Sequence, residues 1–207
     1  YLFATSLGEV LTISFALFIG YPLPILASQI IWLNFVTDGF LVVALAMEPK
    51  ENGLLSGTFE HPKKYIVDSL MVQRMIVMAI PMMLGTLFLF GRYFEADIAK
   101  AWTISLTVLA VSQWFNAWNC RSESRSIFSM NWFSNLYLVG ATVVVVLLQL
   151  LAVYTPILQK ILRTVPLDLN EWIMIILVAT SIIFAEEIRK YFYRNTSASN
   201  SDGSVTV

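Results

Sequence analysis

The stretch Gln29-Ile-Ile-Trp-Leu-Asn34-Phe-Val-Thr37-Asp38-Gly39-Phe-Leu-Val-Val-Ala-Leu-Ala-Met47 is apolar except for Gln29, Asn34, Thr37 and Asp38. It belongs to a block, Leu23–Met47, long enough at about 1.5 Å of rise per residue to cross a hydrocarbon core of about 30 Å as a helix. Five more blocks of similar length flank it: Tyr1–Ile19, Leu70–Phe90, Ala101–Asn119, Trp132–Tyr154 and Trp172–Tyr193. Hydrophobic residues make up 57% and charged residues 13% of the 207, so the apolar content exceeds what a water-soluble core of this size requires. Backbone groups in hydrocarbon must bond internally, and the blocks lack the alternation of barrel strands. The sequence therefore predicts an all-α, polytopic membrane bundle of six transmembrane helices over residues 1–194, with the lipid bilayer as a partner. Residues 195–207, rich in Ser and Asn, read as a disordered tail.

Loop charges set the expected orientation. Lys50, Lys63, Lys64, Arg74, Arg121, Arg125, Arg189, Lys190 and Arg194 fall on one side, and Arg92, Lys100, Lys160 and Arg163 on the other. The larger set, and with it the C-terminus, is expected in the cytoplasm. A net charge of −1 gives no field to attract nucleic acid, which is set aside as a partner. Single Cys120 and His61 offer no cluster for a soft metal. The opening Tyr1-Leu2-Phe3-Ala4 already reads as helix, with no leader pattern, so the chain is expected to be the back end of something longer.

Two acids lie where lipid-spanning helices should have none. Glu9 sits inside the first block and Asp38 inside the second, with no basic residue in either to pair with them. A carboxylate at the bilayer centre costs about 2.5–3.5 kcal/mol, so each asks for a proton, a bound cation or water. Asn34, Thr37 and Asp38 share one helical face, Ser6 and Glu9 another, and the short turn at Pro22 and Pro24 makes the two helices antiparallel neighbours. Carboxylate, amide and hydroxyl oxygens without nitrogen or sulfur suit a hard cation such as calcium; magnesium or manganese fits the same ligands. Gly39 lowers the cost of loosening the helix beside Asp38. The alternative is a polar network that locks helices together around protonated acids.

The string from Gln29 to Gly39, followed by Glu48-Pro49, resembles the sixth transmembrane helix of calcium-type P-type ATPases. Ser6-Leu-Gly-Glu9-Val is similar to the fifth helix of those pumps, Asn116-Ala-Trp-Asn119-Cys-Arg-Ser-Glu123 to the eighth, and Glu186-Glu-Ile-Arg-Lys to the tenth. The resemblance implies that Glu9, Asn34, Thr37, Asp38 and Glu123 ligate the transported ion, with Asp38 shared between two positions. Those pumps carry Asn where Ser6 stands, which leaves the ion position nearest the first helix open. They also differ from sodium–potassium pumps, which tend to have Asp at the place of Asn34.

From the residues alone, Glu123 serves equally as a salt-bridge partner of Arg121 and Arg125, and Glu186 and Glu187 read as a solvated helix end beside Arg189 and Lys190. The resemblance implies a role in ATP-driven calcium export, in which the emptied carboxylates take up protons because two like charges in a dry site repel. ATP and Mg2+ enter only through cytoplasmic domains that, with the first four helices, are absent from these residues. The phosphorylation sequence Asp-Lys-Thr-Gly-Thr does not occur, so this chain alone is not expected to hydrolyse ATP. A secondary cation/proton exchanger and a structural membrane subunit are the competing readings.

Overall fold

The structure, a computed structural model, describes residues 1–49, 69–122 and 125–202. Glu123 and most of the polar connector after Glu48, with Lys50, His61, Lys63 and Lys64, therefore lie outside the described residues. Among those described, every regular element is helical: α1 Leu2–Phe18, α2 Ala27–Trp32, a π-helical turn Leu33–Thr37, α3 Asp38–Ala46, α4 Ser69–Tyr93, α5 Ile98–Asn119, α6 Leu136–Tyr154, α7 Pro156–Leu162, α8 Leu169–Ala179 and α9 Ser181–Asp202. The expected all-α class holds.

Among the described residues, three helices are long and apolar enough to cross a membrane: Ala27–Ala46 taken through the π turn, Ser69–Tyr93 and Leu136–Tyr154. The other blocks depart from that standard for visible reasons. Helix α1 is apolar but has 17 residues. Helix α5 carries Thr, Ser, Gln and Asn side chains inside the protein, where sixteen of its 22 residues are buried. Such a helix meets other helices on nearly every side, so its polar groups need not be tolerated by lipid. The block Trp172–Tyr193 is split at Thr180, between α8 and α9.

Helix α9 also runs to Asp202, eight residues into the stretch read from sequence as a disordered tail. Adding residues to an existing helix costs far less than starting one, and no Gly or Pro interrupts the chain between Ser181 and Asp202.

Helix α5 is the axis of the bundle, touching α1, α3, α4, α6, α8 and α9. Asp97 starts it by accepting from the backbone N–H groups of Ala99 and Lys100. Helix α1 lies along α4 through a stripe of short side chains, Ala4, Thr5, Gly8, Thr12 and Ala16, recurring every three to four residues. A β-carbon on Gly8 would meet Met82 Sδ at 3.1 Å. Gly20, at φ +83°, turns the chain out of α1, and Tyr21 then packs on Phe90 and Phe94 at the end of α4. The outer faces carry large exposed apolar side chains, among them Phe18, Phe35, Val43, Phe88 and Leu177, a surface suited to lipid rather than water.

Charges gather where α4, α5 and α9 meet. Glu186 is fully buried, holding Arg189 at 2.8 Å and lying 3.6 Å from Arg74. Lys190, also fully buried, donates to the Asn119 carbonyl at 3.0 Å, and Glu187 accepts from the Ile127 N–H at 2.9 Å. The solvated helix end expected at Glu186 and Glu187 is corrected. Packing of α9 on α4 and α5 encloses residues that a one-dimensional reading places at a water-facing terminus.

The tightest described glycine contact is between α4 and α8, where a β-carbon on Gly85 would come within 2.5 Å of Val178 Cγ1. Gly85→Ala should therefore destabilise the bundle by about 1–3 kcal/mol through overpacking. Gly140→Ala in α6, with nothing within 4 Å, should be neutral or gain up to about 1 kcal/mol of helix propensity. Thermal unfolding of both variants in detergent checks the contrast.

Candidate cation site

Both intramembrane acids are buried, Asp38 at 1% and Glu9 at 5% exposure. Each has both oxygens occupied by donors from this chain. Asp38 Oδ1 accepts from the Tyr1 hydroxyl at 2.6 Å and Oδ2 from the Thr5 hydroxyl at 2.9 Å. Glu9 Oε1 accepts from Gln113 Nε2 at 2.9 Å and Oε2 from Asn34 Nδ2 at 3.1 Å. Among the described residues no Lys, Arg or His side chain bonds these acids; neutral hydroxyls and amides hold the carboxyl groups, which otherwise face the full cost of burial.

The contacts run antiparallel: early residues of α1 meet late residues of the split helix, and Glu9 meets the earlier Asn34. This is the juxtaposition expected from the hairpin. Helix α1 reaches its neighbour through these side chains while its backbone packs on α4.

The helix carrying Asn34, Thr37 and Asp38 is deformed at the site. Leu33–Thr37 forms a π turn, in which the Asp38 N–H donates to the Leu33 carbonyl, five residues back. Single π turns within α-helices are frequent at functional sites, because the extra residue re-aims neighbouring side chains and loosens carbonyls. The loosening expected at Gly39 thus lies just ahead of it; Gly39 itself is within α3.

The residues singled out from sequence divide clearly. Glu9, Asn34 and Asp38 are brought together through the bonds above, and Thr37 is buried beside Asp38 on the same helix. Asn34 is an exposed residue whose Nδ2 also donates to the Ile30 carbonyl at 2.9 Å. Ser6 is exposed, and it is Thr5, one residue earlier, that reaches Asp38. Glu123 lies outside the described residues, and Arg121, offered as its partner, pairs with Glu48 instead, Nη2 to Oε1 at 2.9 Å.

Three contributors, Tyr1, Thr5 and Gln113, escaped the sequence reading. Tyr1, Thr5 and Glu9 recur every four residues and so line one face, a stronger pattern than the Ser6–Glu9 spacing. Gln113 is a polar residue inside the fourth apolar block, detectable by the argument that found Asp38. It is fully buried, and among the described residues its Oε1 has no hydrogen-bond partner. A buried oxygen with nothing to accept from, on a side chain already touching Glu9, suits a hard cation as a further ligand. Rotating the Asn34 or Gln113 amide by half a turn exchanges donor for acceptor, so the same residues can hold a carboxyl group or present oxygens to an ion. The described residues contain no cluster of three or more His, Cys, Asp or Glu.

Residues 22–192 match the family described as "Cation transporting ATPase, C-terminus". The chain belongs to this family. It resembles the C-terminal region of calcium-type P-type pumps, as the helix signatures indicate, and it is an integral membrane region. Among relatives, a calcium-transporting ATPase of Bacillus subtilis (strain 168) is 36% identical over 180 residues, covering 85% of this chain and 20% of that protein. A calcium-transporting ATPase of Plasmodium falciparum is 27% identical over 237 residues, covering 93% and 19%. The calcium-transporting ATPase type 2C member 1 of Mus musculus is 28% identical over 194 residues, covering 93% and 21%. This family member thus spans about a fifth of the length of the relatives it matches.

The geometry separates two neighbouring hydroxyls in α1. Thr5→Val removes the donor to buried Asp38 Oδ2 and should cost about 1–3 kcal/mol, whereas Ser6→Ala should stay within about 0.5 kcal/mol. Thermal unfolding of the detergent-solubilised variants distinguishes them.

Proposed function

We propose that this chain is the ion-binding and translocation region of an ATP-driven P-type pump that moves calcium out of the cytoplasm in exchange for protons. The observation that carries the reading is the pair of buried carboxyl groups, Asp38 and Glu9, supplied by two helices that bond each other on either side of a π turn, Asp38 through Thr5 and Glu9 through Asn34. The names of the relatives, calcium-transporting ATPases, favour calcium as the ion.

Asp38, Glu9, Asn34, Thr37 and Gln113 would form this chain's share of the ligands. Two carboxylates neutralise a divalent ion, and neutral oxygens complete a shell that calcium fills with six to eight. The hydroxyls of Tyr1 and Thr5 and the amides of Asn34 and Gln113 hold the acids when the ion has left. Release of the ion exposes two like charges to each other in a dry pocket, and uptake of protons relieves that repulsion, which supports counter-transport. Glu123 and Ser6 stay within the proposal only as contributors to a second ion position.

The remaining parts of the pump, its first four helices and the cytoplasmic domains that bind ATP and Mg2+ and accept the phosphate, would come from sequence outside these residues. In the membrane the chain would cross six times, α1, the split helix α2–α3, α4, α5, α6 and the pair α8–α9 each making one passage. The distribution of Lys and Arg supports a cytoplasmic C-terminus, and residues 1–194 would form the transmembrane domain.

In the full-length pump, Asp38→Asn and Glu9→Gln should each raise the calcium needed for phosphoenzyme formation from ATP by roughly tenfold or more, each loss removing an ionic ligand worth over about 1.4 kcal/mol. Phosphorylation from inorganic phosphate, which needs no calcium, should persist and show that the cytoplasmic machinery is intact. Unchanged calcium dependence in both variants would remove these acids from the site.

A further inference from the structure

The split helix is tied at both ends by side chains that have no place in the cation site. Before the π turn, Gln29 Nε2 donates to the Leu162 carbonyl at 2.9 Å and Trp32 Nε1 to Gln149 Oε1 at 3.2 Å. Gln149 is itself held, its Nε2 donating to Thr107 Oγ1 at 3.1 Å. Beyond the turn, Asn135 Nδ2 donates to the Ala44 carbonyl at 3.1 Å and to Glu48 Oε2 at 2.7 Å.

Arg121 completes the second tie. Its Nε lies 3.0 and 3.1 Å from the two Glu48 oxygens and its Nη2 lies 2.9 Å from Oε1, a two-pronged grip on the carboxylate. The remaining donors reach Ser134 Oγ at 2.6 Å and the Asn131 carbonyl at 3.3 Å. The guanidinium sits 5.3 Å over the Trp118 ring, and the side chain is 1% exposed. Three segments therefore converge on one cation: the exit of α3, the end of α5 and the approach to α6.

Such a clamp restricts where the helix can change. Glu48 is ten residues beyond Asp38, about 15 Å along a helix, and among the described residues Arg121 touches no proposed ligand. Sliding or tilting α3 would break the pair between the half-buried Glu48 carboxylate and the buried Arg121 guanidinium and leave that guanidinium without its counter-charge. Between the two ties, Leu33–Thr37 is the one segment with π rather than α hydrogen bonding. A π turn holds one residue more than an α turn, so a shift of that extra residue along the segment re-aims Asn34 and Thr37 while the register of both halves is kept.

Resting on the cation-site reading above, we propose that Arg121 is a positioning residue: through Glu48 it fixes α3 and hence Asp38, so that rearrangement of the ligands is confined to the π turn. A simple structural staple would change how much protein folds; a positioning residue changes the ion affinity of the molecules that do fold.

In the full-length pump, Arg121→Met should raise the calcium needed for phosphoenzyme formation roughly tenfold while maximal phosphoenzyme per folded molecule stays the same. Arg121→Lys keeps the charge without the two-pronged grip, so it should fall between, and it carries the test if Arg121→Met does not fold. The exchange Glu48→Arg with Arg121→Glu should recover the parental calcium requirement to within about threefold. Parental calcium dependence in folded Arg121→Met overturns the proposal.

A second readout needs no ion. Spin labels at exposed Val43 in α3 and Val143 in α6, on a Cys120→Ser background, report their separation by pulsed electron paramagnetic resonance. One narrow distance in the parent that broadens in the Arg121 variants is expected, and the same narrow distance in all of them overturns the clamp. If the parent shows no calcium dependence but the distances broaden, the cation reading fails and the clamp stands.

Discussion

Two carboxyl groups inside an apolar bundle, bonded among the described residues by neutral side chains alone, are the constraint around which the rest of this structure is arranged. Burying such groups unsatisfied would cost more than the modest stability that folding leaves in hand. Here four neutral donors meet the four carboxyl oxygens, and they come from α1, the split helix and α5. Hydroxyls and amides hold an acid without neutralising it permanently. A lysine or arginine in the same place would form a lasting ion pair and leave no net charge to attract a cation.

This requirement explains why the central helix is so polar. Gln113 must reach Glu9 from the axis of the bundle, which places an amide on a helix otherwise surrounded by protein. The same helix presents Thr107 to Gln149 and the Asn119 carbonyl to Lys190. Neighbouring helices satisfy part of this polarity, while among the described residues Ser105 Oγ, Gln113 Oε1 and Asn116 Nδ2 of α5 stay buried without a hydrogen-bond partner. The charged junction of Glu186, Arg189 and Lys190 and the pairing of Glu48 with Arg121 follow the same logic near the ends of the helices, where fully ionic groups can be paired.

Much of this was legible in the sequence, and the limits have physical causes. Helical class and the positions of most helices follow from apolar blocks, since lipid imposes their length and composition. Asp38, Glu9 and Asn34 stood out because a charged or amide side chain in such a block has few innocent explanations. Thr5 did not, because a threonine inside a transmembrane helix can bond its own backbone, as Thr12 does to the Gly8 carbonyl. Ser6 was favoured on its spacing from Glu9 and on its place in the family resemblance, yet it is exposed and Thr5 reaches Asp38 instead. The π turn was invisible because it depends on how α2 and α3 are held from outside, and the burial of Glu186 and Lys190 because it depends on the packing of α9 against two distant helices.

Locating the ion in the intact protein tests the central claim most directly. A structure of the full-length pump with calcium bound, the metal identified by its anomalous scattering, should place an ion about 2.3–2.6 Å from carboxylate oxygens of both Asp38 and Glu9. The Tyr1 and Thr5 hydroxyls and the Gln113 amide nitrogen should then no longer occupy the ligating oxygens. A bound ion elsewhere, with those hydrogen bonds intact, would contradict the account.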